Sequence, residues 1–223
     1  TLMQSFRMKN ILYYIFLLFI KLSFSQNFEG QVTYKTTVEN PNPQMLSDSI
    51  FKEQIVKPVF GEQGYMIQKY FYKGDRFMSE ISTGLENGFE VYLPEQNKVY
   101  AWKAQSKEAT VKKTNEHSEI DSFVEFIDTK EIDTILNIPC KKVLLISKMG
   151  TTELWYNSDY LKINSTDYSD FKLEHKNLIY QKYGCLPFRI KAFTFTIEIV
   201  EFKEEKVLAS IFKIPEFDTI IEQ

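Results

Sequence analysis

Histidine and cysteine are nearly absent, with two of each in 223 residues. That scarcity removes most metal and thiol chemistry at the outset. His117 and His175 fall in no H-E-x-x-H arrangement and lack the spacing of a zinc ligand set, so both read as surface histidines. Cys140 and Cys185 form no C-x-x-C pair, which leaves neither a redox motif nor half of a zinc site. The eight glycines are isolated and mark turns, so a Gly-rich loop able to cradle a phosphate is missing. No G-x-S-x-G elbow presents a nucleophilic serine. Acid runs such as Glu204-Glu205 and Asp128 to Asp133 read as solvated faces. The sequence therefore nominates no catalytic residue, no metal ligand and no cofactor, and an enzyme ranks last among three functional readings.

A basic excess is also lacking. Lys and Arg number 27 against 30 Asp and Glu, for a net charge of −3, and the two signs are interspersed along the chain. Proteins that grip phosphate backbones usually cluster positive charge on one face, so nucleic acid is not an expected partner. Nor is there a long apolar run: Ile11 to Ile20 is too short for a helix to cross a bilayer core of about 30 Å. That run follows Met8-Lys9-Asn10 and precedes Ser23-Phe24-Ser25, a positive segment and a small-x-small pattern. The combination predicts a signal peptide over residues 1–25 with cleavage between Ser25 and Gln26. Residues 1–7 then lie upstream of the natural start. Lys21 favours the rival, an uncleaved anchor. The expectation is one β-rich domain over residues 26–223, secreted or periplasmic, with no transmembrane segment once the leader is removed. No Cys stands at the cleavage point for lipid attachment. In an oxidising compartment Cys140 and Cys185 are expected to pair, stabilising the fold by roughly 4 kcal/mol; two separately buried thiols are the alternative. Asn164-Ser165-Thr166 matches the N-glycosylation acceptor pattern.

What is abundant is aromatic: 13 Tyr and 19 Phe, too many for a disordered chain and enough for a sizeable core. Val32, Tyr34, Thr36 and Val38 alternate with polar neighbours, which predicts a strand over Asn27 to Val38. Hairpins are predicted for Tyr65–Tyr72 with Arg76–Ile81, Phe89–Leu93 with Lys98–Trp102, and Cys140–Ser147 with Thr152–Tyr156. Phe193 to Ile199 followed by Val207 to Ile214 predicts a closing hairpin. Ser47 or Asp48 could cap a short helix from Ser49 to Val56 that Pro58 ends, and a second short helix is expected around Ile120 to Ile127. A mainly β fold follows, a curved antiparallel sheet or half-barrel with one or two short helices. Tyr70, Tyr72, Phe77, Trp102 and Trp155 are candidates to line an apolar ligand cavity within it; a filled core is the commoner use of such residues.

Three segments carry a family resemblance. Ile135-Leu136-Asn137-Ile138-Pro139-Cys140-Lys141-Lys142, Glu153-Leu154-Trp155-Tyr156-Asn157 and Cys185-Leu186-Pro187-Phe188-Arg189-Ile190 follow one another in the order of the GLPGLI family of secreted bacterial proteins, and Phe28 to Tyr34 resembles its first strand. Cys185 and Phe188 stand where that signature has glycine. The resemblance implies an exported protein and no known activity. In outline it is similar to the envelope carriers of lipoproteins and lipids, half-barrels over an apolar cavity, although fold does not fix function. The leading reading is a binding protein for an apolar molecule such as a lipid acyl chain; the alternative is a structural or protein-interaction domain at the cell surface.

Overall fold

The computed structural model describes residues 27–117 and 120–223. The expected leader, with its Ser25–Gln26 cleavage point, lies outside the described residues. Twelve strands form one open, curved sheet: β1 (Gly30–Val38), β2 (Met66–Lys73), β3 (Arg76–Ser82), β4 (Asn87–Leu93), β5 (Lys98–Lys103), β6 (Glu108–Lys113), β7 (Phe123–Ile135), β8 (Ile138–Ser147), β9 (Gly150–Tyr156), β10 (Arg189–Ala192), β11 (Phe195–Glu204) and β12 (Thr219–Glu222). Their order is β12-β6-β5-β4-β3-β2-β1-β11-β10-β9-β8-β7. All neighbours are antiparallel except β12, which runs parallel to β6. The mainly β, curved-sheet fold expected from the alternating pattern is the fold observed.

The alternation sorts side chains cleanly. Val32, Tyr34, Tyr72, Phe77, Tyr92 and Val99 share one face and pack in the main core with Tyr168, Phe171, Ile179 and Tyr180. The helix α3 (Lys176–Tyr183) covers this inner face. Residues of the other parity, Met78, Val91 and Leu93, form a second cluster with Val207 and Phe212 on the outer face. The second cluster explains why the predicted closing hairpin fails. Val207 to Ile214 returns no strand beside β11, whose neighbours are β1 and β10. It crosses the outer face of β2 to β5 as a strap with one 3-10 turn, Ala209–Phe212, and ends as β12 beside β6. The strap is tied at its start: Val207 N–H donates to Glu29 Oε1 at 2.8 Å, and Lys73 Nζ donates to the Val207 carbonyl at 2.6 Å.

Two helical expectations also change. Ile120 to Ile127 leads into β7 instead of a helix, because Phe123 and Phe126 pack with the rings of His175 and Tyr183. The helix at Ser47 exists, and Ser47 Oγ accepts from Ile50 N–H at 3.4 Å, but Pro58 does not end it. It comprises α1 (Asp48–Phe51), a π-helical turn Lys52–Val56, and α2 (Lys57–Phe60), with Pro58 in the first turn of α2, where a missing N–H is tolerated. The π turn has a reason in the sequence. Phe51, Val56 and Phe60 are spaced five and four apart, and the extra residue per turn brings all three onto the buried side, against Val38, Leu46 and Met66. At the end of α2, Gly61 (φ 72°) and Gly84 meet backbone to backbone: a Cβ on Gly61 would lie 2.7 Å from Gly84 Cα.

Candidate functional site

The five residues nominated to line a cavity do not form one wall. Tyr70 and Tyr72 stack at 5.6 Å, and Phe77 meets Tyr70 at 5.5 Å and Phe171 at 5.6 Å. Tyr92 closes against Phe171 at 4.7 Å. These rings fill the inner face beneath α3 in edge and offset contacts that stabilise an aromatic core. Trp102 lies on the opposite face, between Phe89 and Phe217, each 5.5 Å away. Trp155 faces its cross-strand partners Lys142 and Arg189.

Cys140 and Cys185 are thiols in the structure rather than the expected cystine. Both belong to the main core, at 0% and 1% exposure. Burial pushes the Cys140 thiol up to about 11 and the Cys185 thiol up to about 12. A thiol held so far above neutrality carries almost no thiolate and is a poor nucleophile.

His175, expected at the surface, is buried, and its Nε2 lies 3.1 Å from Asp121 Oδ2. Burial opposes charge on Asp121, but hydrogen bonds from Ser147, the Met149 amide and His175 bring its carboxyl below the usual range. The pair fastens the entry of β7 to the turn before α3. In that turn Glu174 and His175 both adopt left-handed backbone, with φ of 54° and 58°, a conformation non-glycine residues rarely hold in succession. The turn sets Glu174 beside Lys176, whose Nζ is 3.0 Å from Glu174 Oε2 and 5.3 Å from the Phe171 centroid. Burial works against charge on Lys176, yet Glu174 and the surrounding tyrosines leave its ammonium held above the ordinary range. Across from it on the inner face, Gln68 Nε2 donates to Glu90 Oε2 at 3.1 Å and to Ser79 Oγ at 3.2 Å. Burial raises the Glu90 carboxyl, partly offset by Lys176.

The feature the sequence reading missed lies on the helical segment. Ile50, Ile55 and Val59 each precede a buried residue by one position and repeat its spacing of five and four. The segment thus carries two apolar stripes, of which one is buried and the other is 45%, 47% and 56% exposed. Ile55 and Val59 of the exposed stripe, with Val38, Leu46 and Phe195, border an open groove of about 420 Å³ between α1–α2 and the paired ends of β1 and β11. Asn40, Asn42 and Thr194 stand at its edge. Asn40 orders this rim: its Nδ2 donates to the Leu46 carbonyl at 2.6 Å and to Asp48 Oδ1 at 2.9 Å. The signal was in the sequence, as the doubled pairs Ile50-Phe51, Ile55-Val56 and Val59-Phe60.

No model of a known family matches this chain, and no curated protein matches it. Solved structures similar to it include PNGF-II in space group P21, with 16% identity and a TM-score of 0.44, covering 88% of this chain and 31% of that one. Another is an uncharacterized conserved protein from Thermus thermophilus, with 11% identity and a TM-score of 0.47, covering 88% of this chain and 91% of that one. The chain thus spans about a third of the length of PNGF-II. Among the described residues no helix is long and apolar enough to cross a membrane.

Proposed function

We propose that the protein is an exported, non-catalytic binding protein that holds a lipid acyl chain in the groove beside the helical segment. The observation that carries this reading is the pair Ile55 and Val59 of the second apolar stripe, left open to solvent over a groove of about 420 Å³. Exposed apolar area of this kind marks a place where something docks, and the volume lies within the range of small-ligand sites. The occupant follows from the walls. Ile55, Val59, Val38 and Leu46 are aliphatic, whereas the rim carries the polar side chains of Asn42 and Thr194, which suits a hydrocarbon chain with a polar end. The leader expected over residues 1–25 and the GLPGLI-like segments support an envelope role.

A fluorescent fatty acid displaced by palmitate tests the reading, with Val59→Asp as the variant; Val59 is 56% exposed, so the change leaves the core stripe intact. Displaceable binding by the parent and its loss in the variant support an acyl-binding groove. A second reading draws on the filled inner face. A solid core under a surface groove also suits a protein-interaction domain, and crosslinked partners lost in the same variant, without any fatty-acid binding, would decide for it.

A further inference from the structure

A second cleft, sharing no lining residue with the apolar groove, lies at the far edge of the sheet. Its volume is about 560 Å³. It forms where β7 bulges away from β8: Asp128 pairs with Val143 and Ile132 with Lys141, so Thr129, Lys130 and Glu131 stand opposite Lys142 alone. The bulge is built in. Thr129 Oγ1 donates to the Lys142 carbonyl at 2.9 Å and accepts from Glu131 N–H at 3.1 Å, so the hydroxyl replaces a missing rung of the ladder. Bulges of this kind re-aim side chains and occur beside functional sites.

The charge of the cleft opposes that of the chain. Lys130, Lys141, Lys142 and Lys182 line it against the acids Asp128 and Glu131, in a protein whose net charge is −3. Both acids are already engaged: Asp128 Oδ2 is 3.1 Å from Lys182 Nζ, and Glu131 Oε2 is 3.2 Å from Lys142 Nζ. Lys130 and Lys141 have no acidic partner within ion-pair distance among the described residues, and both are exposed. Two ammonium groups without an acidic partner thus line one concave site, where walls of low dielectric focus their field. Tyr156 and Tyr183, with ring centroids 4.2 Å apart, form an aromatic wall beside them.

We propose that this cleft binds a phosphate monoester, its dianionic group between Lys130 and Lys141 and its organic remainder against Tyr156 and Tyr183. Lysine serves phosphate as a compact point charge, and two unpaired ammonium groups match the nearly two negative charges a monoester carries at neutral pH. The cleft exceeds what inorganic phosphate alone would fill, so an ester fits it better. A soluble phosphate ester and a phosphatidic acid headgroup present the same chemistry.

The test is calorimetric titration of the full chain with inorganic phosphate and with glycerol 3-phosphate at low ionic strength, paired with sedimentation on vesicles of phosphatidylcholine containing phosphatidic acid. The double variant Lys130→Glu/Lys141→Glu is compared with the parent and with Lys148→Glu, an exposed charge outside the cleft. The proposal expects saturable binding by the parent, weakened at least tenfold in the double variant and less than twofold in Lys148→Glu, with unchanged thermal melts. Binding to glycerol 3-phosphate assigns a soluble ester; binding to phosphatidic acid vesicles alone assigns the headgroup. No binding to any probe, equal loss in Lys148→Glu, or retention in the double variant overturns it. Sedimentation on pure phosphatidylcholine to the same extent, without soluble binding, also overturns it while leaving the apolar groove untouched.

Discussion

Arg189 lies across the face of Trp155, its guanidinium carbon 5.0 Å from the indole centroid, while the two residues oppose each other on β10 and β9. Lys142 approaches the same ring from β8 at 5.3 Å, so the indole is flanked by cations from both neighbouring strands. Arg189 also ion-pairs with Glu198 on β11 and with Asp133 on the edge strand β7, so one side chain links strands on both sides of the indole. Arg189→Ala removes the stacking and both charge-assisted bonds. The variant should be less stable by about 1–3 kcal/mol in urea unfolding, with part of the loss already seen in the parent at high salt, because the carboxylates are half exposed.

Glu90 is the inner-face acid whose protonation should register in stability. Burial raises its folded carboxyl above the ordinary range. A raised acid favours folding when protonated, so its contribution is fully present below the unfolded carboxylate range near pH 4 and is lost as pH rises through the folded value. Glu90→Gln removes that loss and keeps an oxygen to accept from Gln68 and Ser79. The variant should therefore melt higher than the parent at neutral pH, with the difference vanishing below pH 4. A difference independent of pH would contradict this account.

The two thiols should be chemically silent in the folded protein. With Cys140 and Cys185 held up to about 11 and about 12, iodoacetamide at pH 8 should modify neither until the chain unfolds, when both react together. Stability should also fall above pH 9, since the unfolded thiols ionise there and the folded ones do not. Fast labelling of the native protein would refute the burial described. Failure of the unfolded, unreduced protein to label would instead reveal the cystine expected in an oxidising compartment.

Gly61 is intolerant for a backbone reason. Its φ of 72° disfavours any L side chain, and a Cβ there would meet Gly84 Cα at 2.7 Å. Gly61→Ala should cost about 1–3 kcal/mol, and it should weaken acyl binding as well, because this contact docks the helical segment that forms one groove wall. Gly74, also at positive φ (58°) but with nothing within 4 Å of a Cβ, serves as the control: Gly74→Ala should cost less and leave binding alone.

Local pattern carried most of the sheet. The period-two alternation of Val32, Tyr34 and Thr36 and the turns at Gly74-Asp75 and Pro94 to Asn97 located strands to within a few residues, since each such signal acts between neighbours in the chain. What failed was non-local. Val207 to Ile214 is as apolar as a strand and follows a turn, yet its apolar side chains are claimed by Met78, Val91 and Leu93 on the outer face, an arrangement no local pattern encodes. The aromatic nominees split across two faces for the same reason: Trp102 and Phe77 belong to strands whose relative parity depends on pairing register. Helix α3 escaped notice because its eight residues bury only Ile179, Tyr180 and Tyr183, too few to set a period. The exposed stripe at Ile55 and Val59 was legible only if a five-residue spacing was allowed, and such spacing belongs to π turns, which are rare.

The most direct test of the acyl-binding groove is the affinity for a fluorescent fatty acid of the parent and of Val59→Asp, alongside their thermal melts. Val59 is more than half exposed, so the melts should coincide. Burying that side chain against a bound chain should be worth about 1.5–3 kcal/mol, so the variant should bind at least tenfold more weakly. Equal affinity in the two proteins, or no binding in either, would contradict the account.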